Sequence, residues 1–234
     1  MVNNFVEGVI KTIPWGIRKE LDFLLRAHYL KEGYIIIPKF EGFVCDSDNL
    51  QYEFCEHLYS LNCVVNEYKF SDMLKSDVVV DLGANIGAFA LRASLRASIV
   101  YAIEPLYADL LKRNIHHNGI DNVYVFDVGI SDISENKNIQ YGERKKKVCC
   151  VPLSEILDNT EGCDFLKTDC EGGEHCFTLE DLKRIRRRIE GELHLFNGEK
   201  EEEFWKLLDV AGFDVTHTYR NKTTRLFHAY RRKA

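Results

Sequence analysis

The chain has 234 residues, 45% hydrophobic and 29% charged, which suits one α/β domain with an appendage, or two small domains, and is not the composition of a disordered tail. Its formal net charge of -6 argues against a general nucleic-acid binder, whose surface is basic. The eight cysteines form no CxxC pair, no apolar run is long enough to span a bilayer, and residues 1–10 lack the apolar stretch of a signal peptide, so a cytoplasmic protein with reduced, mostly buried thiols is expected.

In chain order, Pro14 precedes an amphipathic pattern over 17–31, with Ile17, Leu21, Leu24, Leu25 and Tyr29 on one side, which predicts a helix. The short apolar run 34–37 stops at Pro38, and 42–45 follows a Gly-containing turn, which predicts a hairpin. Residues 51–65 read as another helix. We take 1–65 as an N-terminal appendage of helix and hairpin, a cap over the strand ends or a subunit contact, without readable chemistry.

Over 66–234 the pattern changes to strands alternating with helices. Strands are predicted at 78–82, 99–103, 123–126, 163–168, 192–196, 213–219 and 226–230. Helices are predicted at 88–97, 106–118, 179–189 and 201–211, with Asn118-Gly119 as a helix terminator. This alternation implies βαβ units and a mostly parallel, Rossmann-like sheet. The last two strands are joined too tightly for a crossover, so they should form an antiparallel C-terminal hairpin.

In such a sheet ligands bind at the carboxyl ends of strands. Asp81 ends the first strand, and Gly83, Asn85 and Gly87 lead into the next helix, whose N-terminus offers amides to an anion. Glu104 ends the second strand, at the spacing a nucleoside-binding unit uses for a ribose diol. Asp127 and Gly129 follow the third strand, where an adenine ring would lie. A dinucleotide site is the competing reading. Asp81 replaces the first glycine of that pattern, and a carboxylate repels a pyrophosphate but attracts the ammonium of S-adenosylmethionine.

A second cluster, Lys167-Thr168-Asp169-Cys170-Glu171-Gly172-Gly173-Glu174, places four charges at a later strand end. Read blandly, it is a solvated acidic turn capping a helix.

Together these motifs resemble the FkbM family of S-adenosylmethionine-dependent methyltransferases. The resemblance rests on Val79-Val80-Asp81-Leu82-Gly83-Ala84-Asn85-Ile86-Gly87, Ile103-Glu104-Pro105, Leu110-Leu111-Lys112-Arg113-Asn114-Ile115, Leu166 to Glu174, and Gly191-Glu192-Leu193-His194. Gly173 departs from it, where many members carry alanine. The family implies a seven-stranded class I methyltransferase sheet, S-adenosyl-L-methionine as donor, and O-methylation of a sugar or polyketide hydroxyl. Asp81, Gly83, Asn85, Gly87, Glu104, Asp127 and Gly129 are then the expected donor residues.

A hydroxyl acceptor must lose its proton, and Asp169 is the first candidate base, with Glu171, Glu174 and His194 behind it and Lys167 orienting the acceptor or pairing with a carboxylate. Asp169, Glu171, Glu174 and His175 are hard enough ligands for a divalent cation, but the resemblance implies no metal. Two basic runs, Arg144 to Lys147 and Lys183 to Arg188, would suit RNA, or an anionic acceptor such as a sugar phosphate. Read blandly, they are a solvated loop and an exposed helix face. Against a non-catalytic donor-binding module stands the second cluster, which binding alone does not need. Oligomeric state is not legible.

Overall fold

Three strands are buried fully or at all but one position: Val78–Leu82 (β4) and Ile99–Ile103 (β5), which are almost wholly apolar, and Cys163–Thr168 (β10), which adds Asp164 and Lys167 to an apolar core. Such continuous runs belong in parallel sheets covered on both faces. The computed structural model that contains them describes residues 37–39, 43–46, 48–53, 55, 57, 60–141 and 144–233. The chain forms two compact units, Met1–Glu56 and His57–Ala234. Among the described residues no helix is long and apolar enough to cross a membrane.

The first unit holds an antiparallel meander of Ile37–Lys39 (β1), Phe43–Cys45 (β2) and Gln51–Glu53 (β3). The helix expected over 17–31 lies outside the described residues. The helix expected from 51 starts only at Ser60. Gln51–Glu53 pairs with β2 instead, across a turn that Asp46 closes. Its Oδ1 accepts the amides of Asp48 at 2.9 Å and Leu50 at 3.0 Å. That local competition overrides a weak helical pattern.

The second unit opens with Ser60–Glu67 (α1) and is organised by β4, β5, β10, Val123–Phe126 (β6), Ile185–His194 (β11), Phe213–Tyr219 (β12) and Thr224–Arg231 (β13). Their order is β12-β13-β11-β10-β4-β5-β6. Every pair is parallel except those made by β13, which runs antiparallel to both neighbours, as the tight last connection required. Ala88–Ser94 (α2), Ala108–His117 (α3), Leu153–Asp158 (α4), Leu179–Lys183 (α5) and Glu201–Val210 (α6) complete the unit. The order reverses between β4 and β10, which opens a crevice at their carboxyl ends.

Two sequence expectations fail here. The helix expected over 179–189 stops at Lys183, capped at its start by a reciprocal Thr178–Asp181 box, and the chain becomes a ten-residue strand. The basic run is therefore no exposed helix face. Arg188 is fully buried, stacked on Phe165 at 4.6 Å and ion-paired with Asp72 and Glu190, while Arg187 pairs with Asp77. Partners more than a hundred residues away in sequence make Arg187 and Arg188 tolerable in a strand, and Arg186 pairs with Asp164 on the neighbouring strand.

The other is a second, three-stranded sheet of Gly129–Ile130 (β7), Glu135–Tyr141 (β8) and Arg144–Val151 (β9), in the order β7-β9-β8. So the Arg144 to Lys147 run is a strand, not a solvated loop. Arg144 donates to the Leu106 carbonyl at 3.0 Å and lies over the Tyr107 ring at 4.1 Å. Lys146 pairs with Asp127 at 2.9 Å. These contacts pin the hairpin against the loop that follows β5.

Candidate functional site

The crevice between β4 and β10 is walled on its third side by β8. It encloses about 770 Å³ with its open mouth included, within the range of small-molecule sites. Gly83, Asn85, Glu104, Gly129, Asp169 and Glu171 line it, so the structure brings these six expected site residues together.

Glu104 is the best-anchored of them. Its Oε2 accepts the Asn85 amide at 2.7 Å, and its Oε1 accepts those of Leu106 at 2.6 Å and Tyr107 at 2.9 Å. One carboxylate thereby ties the loop after β4 to the loop after β5. Burial pushes its carboxyl above the usual range, and the three amides draw it back only in part. A carboxylate has about four acceptor positions, so capacity remains for a ligand hydroxyl.

Asn85 sits beside it at φ 50°, a left-handed conformation uncommon for a side-chain-bearing residue. Its Oδ1 is shut off from solvent and accepts no hydrogen bond. An unmatched buried acceptor at a cleft wall fits a ligand ammonium. Gly83 (φ 76°) is required for a steric reason as well: a Cβ there would stand 2.0 Å from the Asp169 carbonyl oxygen. The loops of β4 and β10 thus touch backbone to backbone.

The other expected residues lie elsewhere. Asp81 is fully buried behind the cleft and pairs with Lys167 at 3.0 Å. Lys167 also donates to the carbonyls of Gly83 at 2.9 Å and Leu82 at 3.3 Å, so it fixes the glycine loop from below. Burial works against its ammonium, but the carboxylates of Asp81 and Asp169 hold it above the ordinary lysine range. Gly87 opens α2 where a Cβ would meet Leu91 and Leu111. Asp127 faces outward to Lys146.

Behind Asp169 and Glu171, His194 ends β11 with its side chain 5% exposed. Its Nε2 lies 3.6 Å from Glu192, 3.7 Å from Glu171 and 3.9 Å from Asp169, and its Nδ1 lies 3.5 Å from Glu174. Burial alone would lower this imidazole, but Glu174 first, then Asp169 and Glu171, raise it. Glu171 is itself pushed up, by burial and by Asp169 and Glu174. It holds φ 54°, a strained value for a non-glycine residue. Glu174, fully buried, accepts the amides of Cys170 at 2.8 Å and Gly172 at 2.9 Å. His175 contacts the His194 carbonyl instead of the cluster.

Sequence reasoning missed the wall. Ile139, Gln140 and Tyr141 of β8 line the cleft together with Tyr107, and the His57 ring lies against both tyrosines. Glu135–Tyr141 is too polar to show strand periodicity. Arg220, which pairs with Glu192 and with Glu67, also carried no local signature.

Residues 81–215 match the FkbM methyltransferase domain. An uncharacterized protein of Methanocaldococcus jannaschii, MJ1452, is 31% identical over 100 residues, which make up 41% of this chain and 39% of that relative's length. Among solved structures, the precorrin-6y C5,15-methyltransferase of Geobacter metallireducens superposes with a TM-score of 0.50 at 12% identity, over 77% of this chain and 94% of its own. That likeness shows a class I methyltransferase fold. TYW2 of M. jannaschii, solved in complex with AdoMet, superposes at 0.47 and 17% identity, over 86% of this chain and 87% of its own.

Proposed function

Since the chain belongs to the FkbM methyltransferase family, we propose that it transfers the methyl group of S-adenosylmethionine to a hydroxyl oxygen of a small-molecule acceptor in the cytoplasm. The observation that carries this reading is the shared cleft, in which Glu104 and Asn85 stand on one side and Asp169 and Glu171 on the other.

Glu104 is suited to a ribose diol, and Asn85 Oδ1 to the donor's ammonium. Val128 and Ile130 offer an apolar flank for adenine. When bound, S-adenosylmethionine supplies a sulfonium methyl whose C–S bond breaks as the acceptor's new C–O bond forms, leaving S-adenosylhomocysteine. Asp169 takes the acceptor's hydroxyl proton. Its carbonyl is held against Gly83, so the base keeps a fixed position relative to the donor loop. Glu171 and His194 set the charge around it. Lys167 acts from beneath, by ordering Gly83 and balancing Asp81 and Asp169.

The basic runs speak for a small acceptor over RNA. Arg184, Arg186, Arg187 and Arg188 pair with Asp158, Asp164, Asp77 and Asp72, and Arg144 and Lys146 bind the cleft's own loop. Isothermal titration with S-adenosylhomocysteine, followed by methyl release from labelled donor against fractionated metabolite pools, tests the proposal. Absence of binding would overturn the donor site. Binding without release from any pool would favour a non-catalytic module. Salt-dependent methylation of tRNA would favour the RNA reading.

A further inference from the structure

His194 is surrounded by four carboxylates and hydrogen-bonded by none of them. Its Nε2 points among Glu192, Glu171 and Asp169 at 3.6 to 3.9 Å, beyond hydrogen-bond reach. Its Nδ1 is buried and without a hydrogen-bond partner, 3.5 Å from Glu174. Negative charges packed this closely repel one another, and the two cations that act on them are shared: Arg220, paired with Glu192, is also paired with Glu67, and Lys167, which faces Asp169, is paired with Asp81.

The ligand atoms of Asp169, Glu171 and His194 all lie within 4.8 Å of one another. A divalent first-row cation with bonds of about 2.0–2.2 Å holds neighbouring ligands about 3 Å apart and opposite ones about 4 Å apart. The observed gaps of 3.7 and 3.9 Å from the imidazole to the two carboxylates exceed the neighbouring-ligand spacing by somewhat under an ångström, a shift within reach of side-chain rotation in Glu171 and Asp169, which are part-exposed. Glu174 stands where the outer carboxylate of a metal-bound histidine stands, behind the other ring nitrogen. It is itself fixed by the Cys170 and Gly172 amides. Glu171 keeps its strained backbone at the cluster's solvent side.

We propose that Asp169, Glu171 and His194 bind a divalent cation, with Glu192 as a further ligand and Glu174 orienting the imidazole. One imidazole among hard carboxylates suits Mn²⁺ better than a thiophilic ion. This set replaces the grouping with Glu174 and His175 that spacing alone suggested, because those two side chains face other partners. The inference rests on the methyltransferase reading for its purpose. Two ligands line the cleft, so the cation's open positions face the acceptor and would hold its oxygen and make its hydroxyl more acidic. Asp169 would hold the ion through Oδ1 and keep Oδ2 for the proton.

The test is direct. Full-length protein stripped with EDTA is titrated with Mn²⁺, and the free-ion electron paramagnetic resonance signal is followed. One Mn²⁺ per chain is expected. Glu171→Gln and Asp169→Asn, checked for folding by circular dichroism, should each weaken binding by about tenfold or more. Glu202→Gln on exposed α6 should not change it. Wild-type protein that leaves the Mn²⁺ signal as in buffer, or ligand variants that bind as the wild type does, would overturn the site. S-adenosylhomocysteine is titrated into the same samples. Retained nucleoside binding with no Mn²⁺ uptake removes the cation site alone, and lost nucleoside binding removes the donor reading alone.

Discussion

Asp81 and Lys167 stand opposite each other in the parallel ladder of β4 and β10 and form a 3.0 Å ion pair with both side chains sealed from solvent. The ammonium has three donors, and all have partners: Asp81 and the carbonyls of Leu82 and Gly83. The pair is a joint between the two loops that form the cleft.

Lys167→Met should strand Asp81 in the core and cost about 3–5 kcal/mol, because breaking a buried pair leaves an uncompensated charge. Urea unfolding at neutral pH measures it. Asp81→Asn with Lys167→Met should cost less than the sum of the two single changes. A loss below about 1 kcal/mol for the lysine variant would show that Asp81 takes up a proton instead, the direction in which burial pushes its carboxyl.

Glu104→Gln should weaken S-adenosylhomocysteine binding by roughly 10- to 100-fold, the worth of charge-assisted hydrogen bonds to two hydroxyls. Calorimetry reads it. Unchanged affinity would place the ribose elsewhere. The new amide group would also face one of the backbone donors now bound by Glu104, so stability should fall modestly in the same variant.

Asp169→Asn should lower turnover by about 10²–10⁴-fold, the usual contribution of a positioned base, while nucleoside affinity stays within a few-fold. Labelled-methyl release under single-turnover conditions separates the two effects. Full turnover in the variant would move the base to another member of the cluster.

Asp164 supplies a pH-dependent test. Burial pushes its carboxyl up, but Arg186 and the Val78 amide outweigh this and hold it below the usual range. A depressed carboxyl stabilises the fold above its unfolded pKa, and that contribution is lost as pH falls through the folded value. Asp164→Asn should therefore cost about 1 kcal/mol near pH 7, less in high salt because Arg186 is half exposed, and close to nothing near pH 2. Paired urea titrations at the two pH values check it. An equal cost at both would mean that the charge plays no part.

The central sheet was legible because β4 and β5 are nearly continuous apolar runs and β10 has an apolar centre at Phe165 and Leu166, with few competing structures. β11 was misread over its first half because the arginines in Ile185–His194 imitate a charged helix face. The acids that Arg187 and Arg188 meet across the fold, Asp77 and Asp72, lie far away in sequence. The hairpin of β8 and β9 was missed because Glu135–Tyr141 is mostly polar and β9 opens on four basic residues, which hides the buried Val148, Cys150 and Val151 at its end. In the site, Glu104 and Asp169 were readable from their places after strands. That Asp81 is enclosed, and that Glu192 and Glu174 converge on His194, depend on registers between strands that no local pattern encodes.

The contact between Gly83 and the Asp169 carbonyl has an engineering consequence. With a Cβ excluded by a 2.0 Å approach, the backbone of the acid loop cannot shift without meeting the loop that carries Gly83. Libraries meant to retarget the acceptor by varying residues after β10 would therefore drift in donor affinity as well. Selections should vary both loops together and screen nucleoside binding beside turnover.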